Sequence, residues 1–276
     1  MRLASLRMVA IWADEEGEVD APLIALVHGT MDRSTGMLRL SRRLDDRFRV
    51  LRYDRRGYGR SVDASGMHPG PFDMTAQVAD LVDQLAGRRA VLIGHSFGGD
   101  VALAAAARFP DLVAGVAVYE TPMSWEPWWP KDTGSAIARE AVDPADAAER
   151  FMRRVVGDEL WESLPERTRA IRRREGVAMV AELNDLSSNR PWDPADVRCP
   201  VVTARGSKAR QQHVLGMGVL HEMFPATDLI VLDDCRHDAP MSNSDLFATT
   251  VVKAIVDAAG APWASAWSVS GPGSAS

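Results

Sequence analysis

Cysteine is scarce in this chain: Cys199 and Cys235 are the only two among 276 residues. Two cysteines make no disulfide framework. One precedes an expected strand at 201–204 and the other follows one at 227–232. If these strands are parallel neighbours, the thiols lie at opposite ends of the sheet. A five-residue strand spans about 17 Å, whereas a disulfide requires Cα atoms within about 7 Å. Both are read as free, structural thiols. No apolar run approaches the ~18 residues of a membrane span. Nor is there a positive excess: 32 Lys and Arg against 38 Asp and Glu give a net charge of −6, which argues against a nucleic-acid partner. No secretory leader is expected, because Arg7 interrupts the first apolar stretch and Asp14-Glu15-Glu16 ends it, and a cytoplasmic protein is the expectation. The six histidines and two cysteines show no ligand spacing, so no metal or cofactor is expected. A small-molecule substrate is the expected partner, and nothing in the sequence speaks to oligomeric state.

What is present is organised around Ala90-Val91-Leu92-Ile93-Gly94-His95-Ser96-Phe97-Gly98-Gly99 and the alanine-rich run behind it. Apolar residues ending at a glycine read as a buried strand, and 101–107 reads as a helix packed under the sheet. The pattern Gly94-x-Ser96-x-Gly98 between them is that of a nucleophile elbow. A serine on so sharp a turn has a strained backbone, and a Cβ at the flanking glycines would collide with the neighbouring strand or helix. In return Oγ points out of the sheet, beside a helix N-terminus whose Phe97 amide is placed to meet an oxyanion.

The rest of the chain alternates strands and helices, which argues for a mostly parallel sheet with helices on both faces. Residues 2–13 read as a first strand or hairpin turning at Glu15-Glu16-Gly17. Residues 23–27 form a central strand ending in His28-Gly29-Thr30, 37–46 a helix, and 48–53 a strand. The loop Asp54-Arg55-Arg56-Gly57-Tyr58-Gly59-Arg60-Ser61 follows, with glycines suited to positive φ. A helix over 74–85 leads back to the elbow strand, and 113–119 is the next strand, closed by Glu120-Thr121-Pro122.

Composition then shifts. Residues 123–195 hold five of the eight tryptophans and no convincing strand. Helices are expected at 134–141, 144–156, 165–174 and 177–186. The sheet resumes at 201–204, a helix covers 211–224, and 246–259 is a closing helix. The tail 261–276, rich in Gly, Ser, Ala and Pro, is expected to be disordered.

These motifs, in this order, resemble the α/β-hydrolase superfamily over nearly the whole chain. The resemblance implies a core of 1–122 and 196–260 and a helical cap at 123–195. It implies an oxyanion hole of the Thr30 and Phe97 amides. Trp125, Trp128 and Trp129 at the start of the cap could line an apolar acyl pocket or merely glue cap to core. His237, in the loop after the last strand, stands where the family keeps its base, which takes the proton of Ser96. His28 and His95 look structural, and His68, His213 and His221 match no family position. The family's usual acid is an Asp shortly after the strand that ends here at Gly206, yet no carboxylate stands between Asp196 and Glu222. A second solution in the family moves the acid to the end of the strand after the elbow strand, where Glu120 stands. Asp233 and Asp234 are its rivals.

The reading that results is a serine hydrolase of carboxylic esters or thioesters. Ser96 excludes an epoxide hydrolase or dehalogenase, which need Asp at the elbow. A carbon–carbon hydrolase, a lyase or a perhydrolase shares the same motifs. The alternative of another class is a capped, non-catalytic ligand-binding protein, supported by the missing Asp.

Overall fold

The computed structural model describes residues 9–268. Seven strands form one sheet in the order β1-β3-β2-β4-β5-β6-β7: β1 Ala13–Glu16, β2 Leu23–Val27, β3 Arg49–Tyr53, β4 Ala90–His95, β5 Val113–Tyr119, β6 Val201–Gly206 and β7 Ile230–Leu232. All neighbours are parallel except β1, which pairs antiparallel with β3 at the edge. Strand residues alternate between two cores. Leu23, Ala25 and Val27 with Ala90 and Leu92 face one side, whereas Ile24 and Leu26 with Val91 and Ile93 face the other. That two-residue period buries both faces, as a parallel sheet requires.

The helices are α1 Leu38–Ser41, α2 Met74–Leu85, α3 Phe97–Arg108, α4 Gly134–Arg139, α5 Pro144–Val156, α6 Asp158–Ser163, α7 Glu166–Arg174, α8 Gly176–Ser188, α9 Gln211–Met223, α10 Ala239–Ser242, α11 Ser244–Phe247, α12 Lys253–Ala259 and α13 Trp263–Ser268. One core gathers Leu81, Val101 and Leu220 from α2, α3 and α9. The other gathers Leu40, Phe247, Ile255 and Trp263 from α1, α11, α12 and α13.

The five helices from Gly134 to Ser188 lie between β5 and β6, where the composition shifts. The short α6 joins the four expected there. Among the described residues, no helix is long and apolar enough to cross a membrane.

Several expectations need correction. The first strand is at Ala13–Glu16 rather than over 2–13, and it includes two residues expected in the turn; residues 2–8 lie outside the described residues. Glu15 is held there by Arg49 and Arg88, which its polarity did not announce. The helix expected at 37–46 is only a 3₁₀ turn over Ser34–Met37 and the four residues of α1. The closing helix is α11 and α12 separated by a π-helical turn at Ala248–Val252. Disorder from 261 on is wrong for the described part: α13 is ordered because Trp263 is buried and its Nε1–H donates to the Leu23 carbonyl at 2.9 Å. Trp267 packs on Phe48 with ring centroids 6.1 Å apart. Small and turn-forming residues dominated the composition, but two indoles decide the packing. Residues 269–276 of that tail lie outside the described residues. Cys199 and Cys235 are free, as expected.

Candidate active site

Strand register builds the site. His95 of β4 pairs with Tyr119 of β5, and Tyr119 pairs with Ala204 of β6. The ladder runs one step further, with the Ser96 amide donating to Tyr119 O at 2.9 Å and the Glu120 amide to Ala204 O at 3.1 Å. Ser96 and Glu120 therefore leave adjacent strands side by side.

Ser96 has φ 52° and ψ −128°, the strained conformation its turn requires. Glycine is obligatory around it. A Cβ on Gly94 would lie 2.4 Å from Gly99 Cα, and one on Gly98 2.1 Å from the Val27 carbonyl oxygen. On the opposite side a Cβ on Gly29 would lie 2.9 Å from Ser96 Cβ, so the His28-Gly29-Thr30 segment passes directly beside the serine. The Thr30 amide makes no hydrogen bond with the described residues. The Phe97 amide opens α3, where helix geometry leaves the first N–H groups unpaired. Phe97 follows Ser96 in the chain, and Thr30 follows the glycine that lies against it.

Glu120 is fully buried at the end of β5, and its Oε2 accepts from His237 Nδ1 at 2.8 Å. Its Oε1 accepts from the Gly206 amide at 3.0 Å. Gly206, the end of β6, thus contributes an N–H to the Glu120 carboxylate. Burial pushes the Glu120 carboxyl up, but the hydrogen bond and charge of His237 outweigh it and hold the group below its ordinary range. Asp234 is exposed and paired with Lys208, and Asp233 accepts from Ser207 at 3.4 Å; neither bonds to His237.

The His237 backbone is fixed from below. His95 Nε2–H donates to its carbonyl at 2.8 Å, and the Tyr119 hydroxyl donates to Arg236 O at 2.7 Å. Burial, then the neighbouring charge of His237, pushes His95 down to about 3, so its ring is neutral. Among the described residues no hydrogen bond joins Ser96 Oγ to His237, a contact that in free enzymes commonly tightens only when substrate arrives.

Two residues near this centre were missed. His213, in the first turn of α9, stacks on His237 with ring centroids 5.0 Å apart and planes at 25°. Burial, then the charge of His237, pushes it down to about 3. Glu182 of α8 is buried at 0% exposure and receives the Thr30 hydroxyl (2.8 Å), Arg55 Nη1 (2.7 Å), the Tyr58 hydroxyl (2.7 Å) and Gln77 Nε2 (3.1 Å). Arg55 also donates to the carbonyls of His28 and Gly29 at 2.9 and 3.0 Å. Burial alone would lower the pKa of Arg55; the Glu182 carboxylate reverses this and holds it above its ordinary value. A buried ion pair therefore ties the helical segment to the Gly29-Thr30 loop. A signal existed: Ala178, Met179, Glu182, Leu183 and Leu186 share one buried helical face, as His213 does with Gly216, Met217 and Leu220.

Of the three tryptophans, Trp129 packs edge-on against His213 at 5.6 Å, and Trp128 lies on Trp129 at 5.8 Å. Trp125 packs on Trp192 instead, at 5.6 Å.

This strand-elbow-helix architecture has relatives. The model of the alpha/beta hydrolase family matches residues 24–250. The chain belongs to the alpha/beta hydrolase family. The 2-(acetamidomethylene)succinate hydrolase of Mesorhizobium japonicum is 26% identical to this hydrolase over 245 residues, covering 78% of this chain and 81% of the relative. A thermophilic esterase from Thermogutta terrifontis superposes with a TM-score of 0.67 at 23% identity, over 88% of this chain and 91% of the esterase. The enol-lactonase from Burkholderia xenovorans LB400 superposes with a TM-score of 0.64 at 26% identity, over 88% and 95% of the two chains. The enzyme reading stands, and the non-catalytic binding protein does not.

Proposed function

We propose that this hydrolase cleaves a carboxylic ester or thioester of a small or apolar substrate through an acyl-enzyme on Ser96. The observation that carries the reading is the 2.8 Å bond between buried Glu120 and His237 Nδ1. In the neutral ring that bond uses the Nδ1 proton and leaves the Nε2 lone pair free to take the serine proton. As Ser96 Oγ attacks the acyl carbon, His237 becomes an imidazolium, stabilised by the Glu120 charge. The Thr30 and Phe97 amides donate to the oxyanion. His237 then protonates the leaving alkoxide or thiolate, and water, deprotonated by the same imidazole, releases the acid. Residues 123–195 serve as the cap, with Trp128 and Trp129 on the substrate side and Trp125 packed on Trp192. The names of the esterase and the enol-lactonase among the similar structures are in keeping with acyl–oxygen cleavage.

A fluorophosphonate probe tests the assignment. It should label the protein at Ser96, and Ser96→Ala should lose the label and about 10⁴ or more in kcat while staying folded. Labelling or turnover that survives in Ser96→Ala refutes the nucleophile. A panel of p-nitrophenyl esters and acyl thioesters of graded chain length then reads the substrate class.

A further inference from the structure

We propose that Glu120, His213 and His237 also form a site for a borderline-soft divalent cation of the Zn²⁺ type, and that occupying it switches the serine off. The switching-off rests on the serine hydrolase reading; the binding does not. One ligand atom from each residue lies within 4.8 Å of the other two. They arrive from three elements: the end of β5, the first turn of α9 and the loop after β7. Linear spacing could not reveal such a set. Two imidazoles and a carboxylate are the donor set of a three-ligand zinc centre with its fourth position open.

Neighbouring groups already fix part of the cluster. The Gly206 amide fixes the second Glu120 oxygen at 3.0 Å, and the edge of Trp129 packs on the His213 ring at 5.6 Å. A second observation is independent of the cluster distances. His213 Nδ1 is buried without a hydrogen-bond partner, and His213 makes no side-chain hydrogen bond with the described residues. A buried polar atom left without a partner is costly. Its ring stacks on His237, and a cation bound through Nδ1 would supply that partner.

Inhibition follows from the tautomer. Glu120 Oε2 and His237 Nδ1 are 2.8 Å apart, bridged by a proton. Zinc bonds of about 2.0–2.2 Å to each need that pair to open by only about half an ångström. The cation takes the Nδ1 lone pair, and the displaced proton moves to Nε2. A His237 protonated at Nε2 and bound to a cation at Nδ1 has no lone pair for the serine proton. It also cannot become a stabilised imidazolium.

The experiment uses the full chain, stripped with a chelator. Zn²⁺ is titrated against a chromophoric chelator, and fluorophosphonate labelling is followed with and without Zn²⁺, with Mg²⁺ as the hard-cation control. Expected are one Zn²⁺ bound per chain and labelling suppressed by Zn²⁺ but not by Mg²⁺. His213→Phe, which keeps a packed ring and removes the ligand, should label normally without metal and lose Zn²⁺ binding by about 100-fold or more, given that outer-shell changes alone cost 10–100-fold. His213→Leu serves if the ring variant does not fold. Absence of Zn²⁺ binding overturns the proposal, as does binding unchanged in the His213 variants. Zn²⁺ that binds without suppressing labelling overturns the inhibitory role. Absence of labelling without metal is a failure of the serine hydrolase reading alone, because the chelator titration still reads the site.

Discussion

Replacing Glu182 with glutamine tests whether the helical segment holds the loop beside Ser96. Arg55 and Glu182 are both at 0% exposure, so the substitution leaves a buried guanidinium without its counter-charge. Breaking a buried pair in this way costs about 3–5 kcal/mol. The amide also presents donors where the Thr30 hydroxyl, Tyr58 and Gln77 already donate, so at least one of those bonds is lost with it. At roughly 2 °C per kcal/mol for a chain of this size, the melting point should fall by about 6–10 °C. The kinetic effect has a separate origin. Thr30 and the Gly29 carbonyl are both tethered to this pair, so the Thr30 amide shifts, and an oxyanion donor displaced by about 1 Å costs up to about 10² in kcat. The Michaelis constant should move far less. Circular-dichroism melting and steady-state ester hydrolysis read the two effects. The double change Arg55→Met with Glu182→Gln removes both charges while keeping an acceptor oxygen for the hydroxyl donors, so it should recover part of the lost stability, but not the lost kcat. A Glu182→Gln protein that melts within about 2 °C of wild type, or a double variant less stable than the single one, refutes the reasoning.

Other outcomes follow from the same geometry. Glu120→Gln should cut kcat by about 10⁴ with little change in melting, whereas Asp233→Asn and Asp234→Asn should leave turnover intact; a dead Asp234→Asn beside an active Glu120→Gln would show the acid to be misassigned. Trp128→Ala should change acyl chain-length preference more than stability, measured on the ester panel, and unchanged preference with a lowered melting point would leave the ring a packing element. Asp100 is buried, with Trp192 Nε1 at 3.3 Å, and burial raises its pKa well above 3.8. Near and below that value it is protonated folded or unfolded; as pH rises, only the unfolded carboxyl ionises freely, so wild type loses stability. Asn keeps the acceptor for Trp192 and carries no charge, so the margin of Asp100→Asn over wild type should grow from acid to neutral pH. A margin that is flat in a pH series of denaturant melts contradicts this.

Local signals carried the parts of this hydrolase that local physics decides. Gly94-x-Ser96-x-Gly98 behind an apolar run dictates a turn that only glycines can flank. The period-2 burial of β2 and β4 follows from uninterrupted apolar segments, and four of the five helices between β5 and β6 were legible from spacing. Where a short polar strand needs partners, as at Ala13–Glu16, or two indoles anchor a Gly- and Ser-rich tail, as at Trp263 and Trp267, composition pointed the wrong way. Tertiary structure alone brought Glu120 to His237 across 117 positions of chain, through the one-step continuation of two strand ladders. It alone put Glu182 on Arg55 and Thr30, and His213 on His237. A sequence records which face of a helix a polar residue occupies, but the identity of its partner depends on which elements stack against that face. Long-range strand order and helix packing set that arrangement, and no window of neighbouring residues contains it.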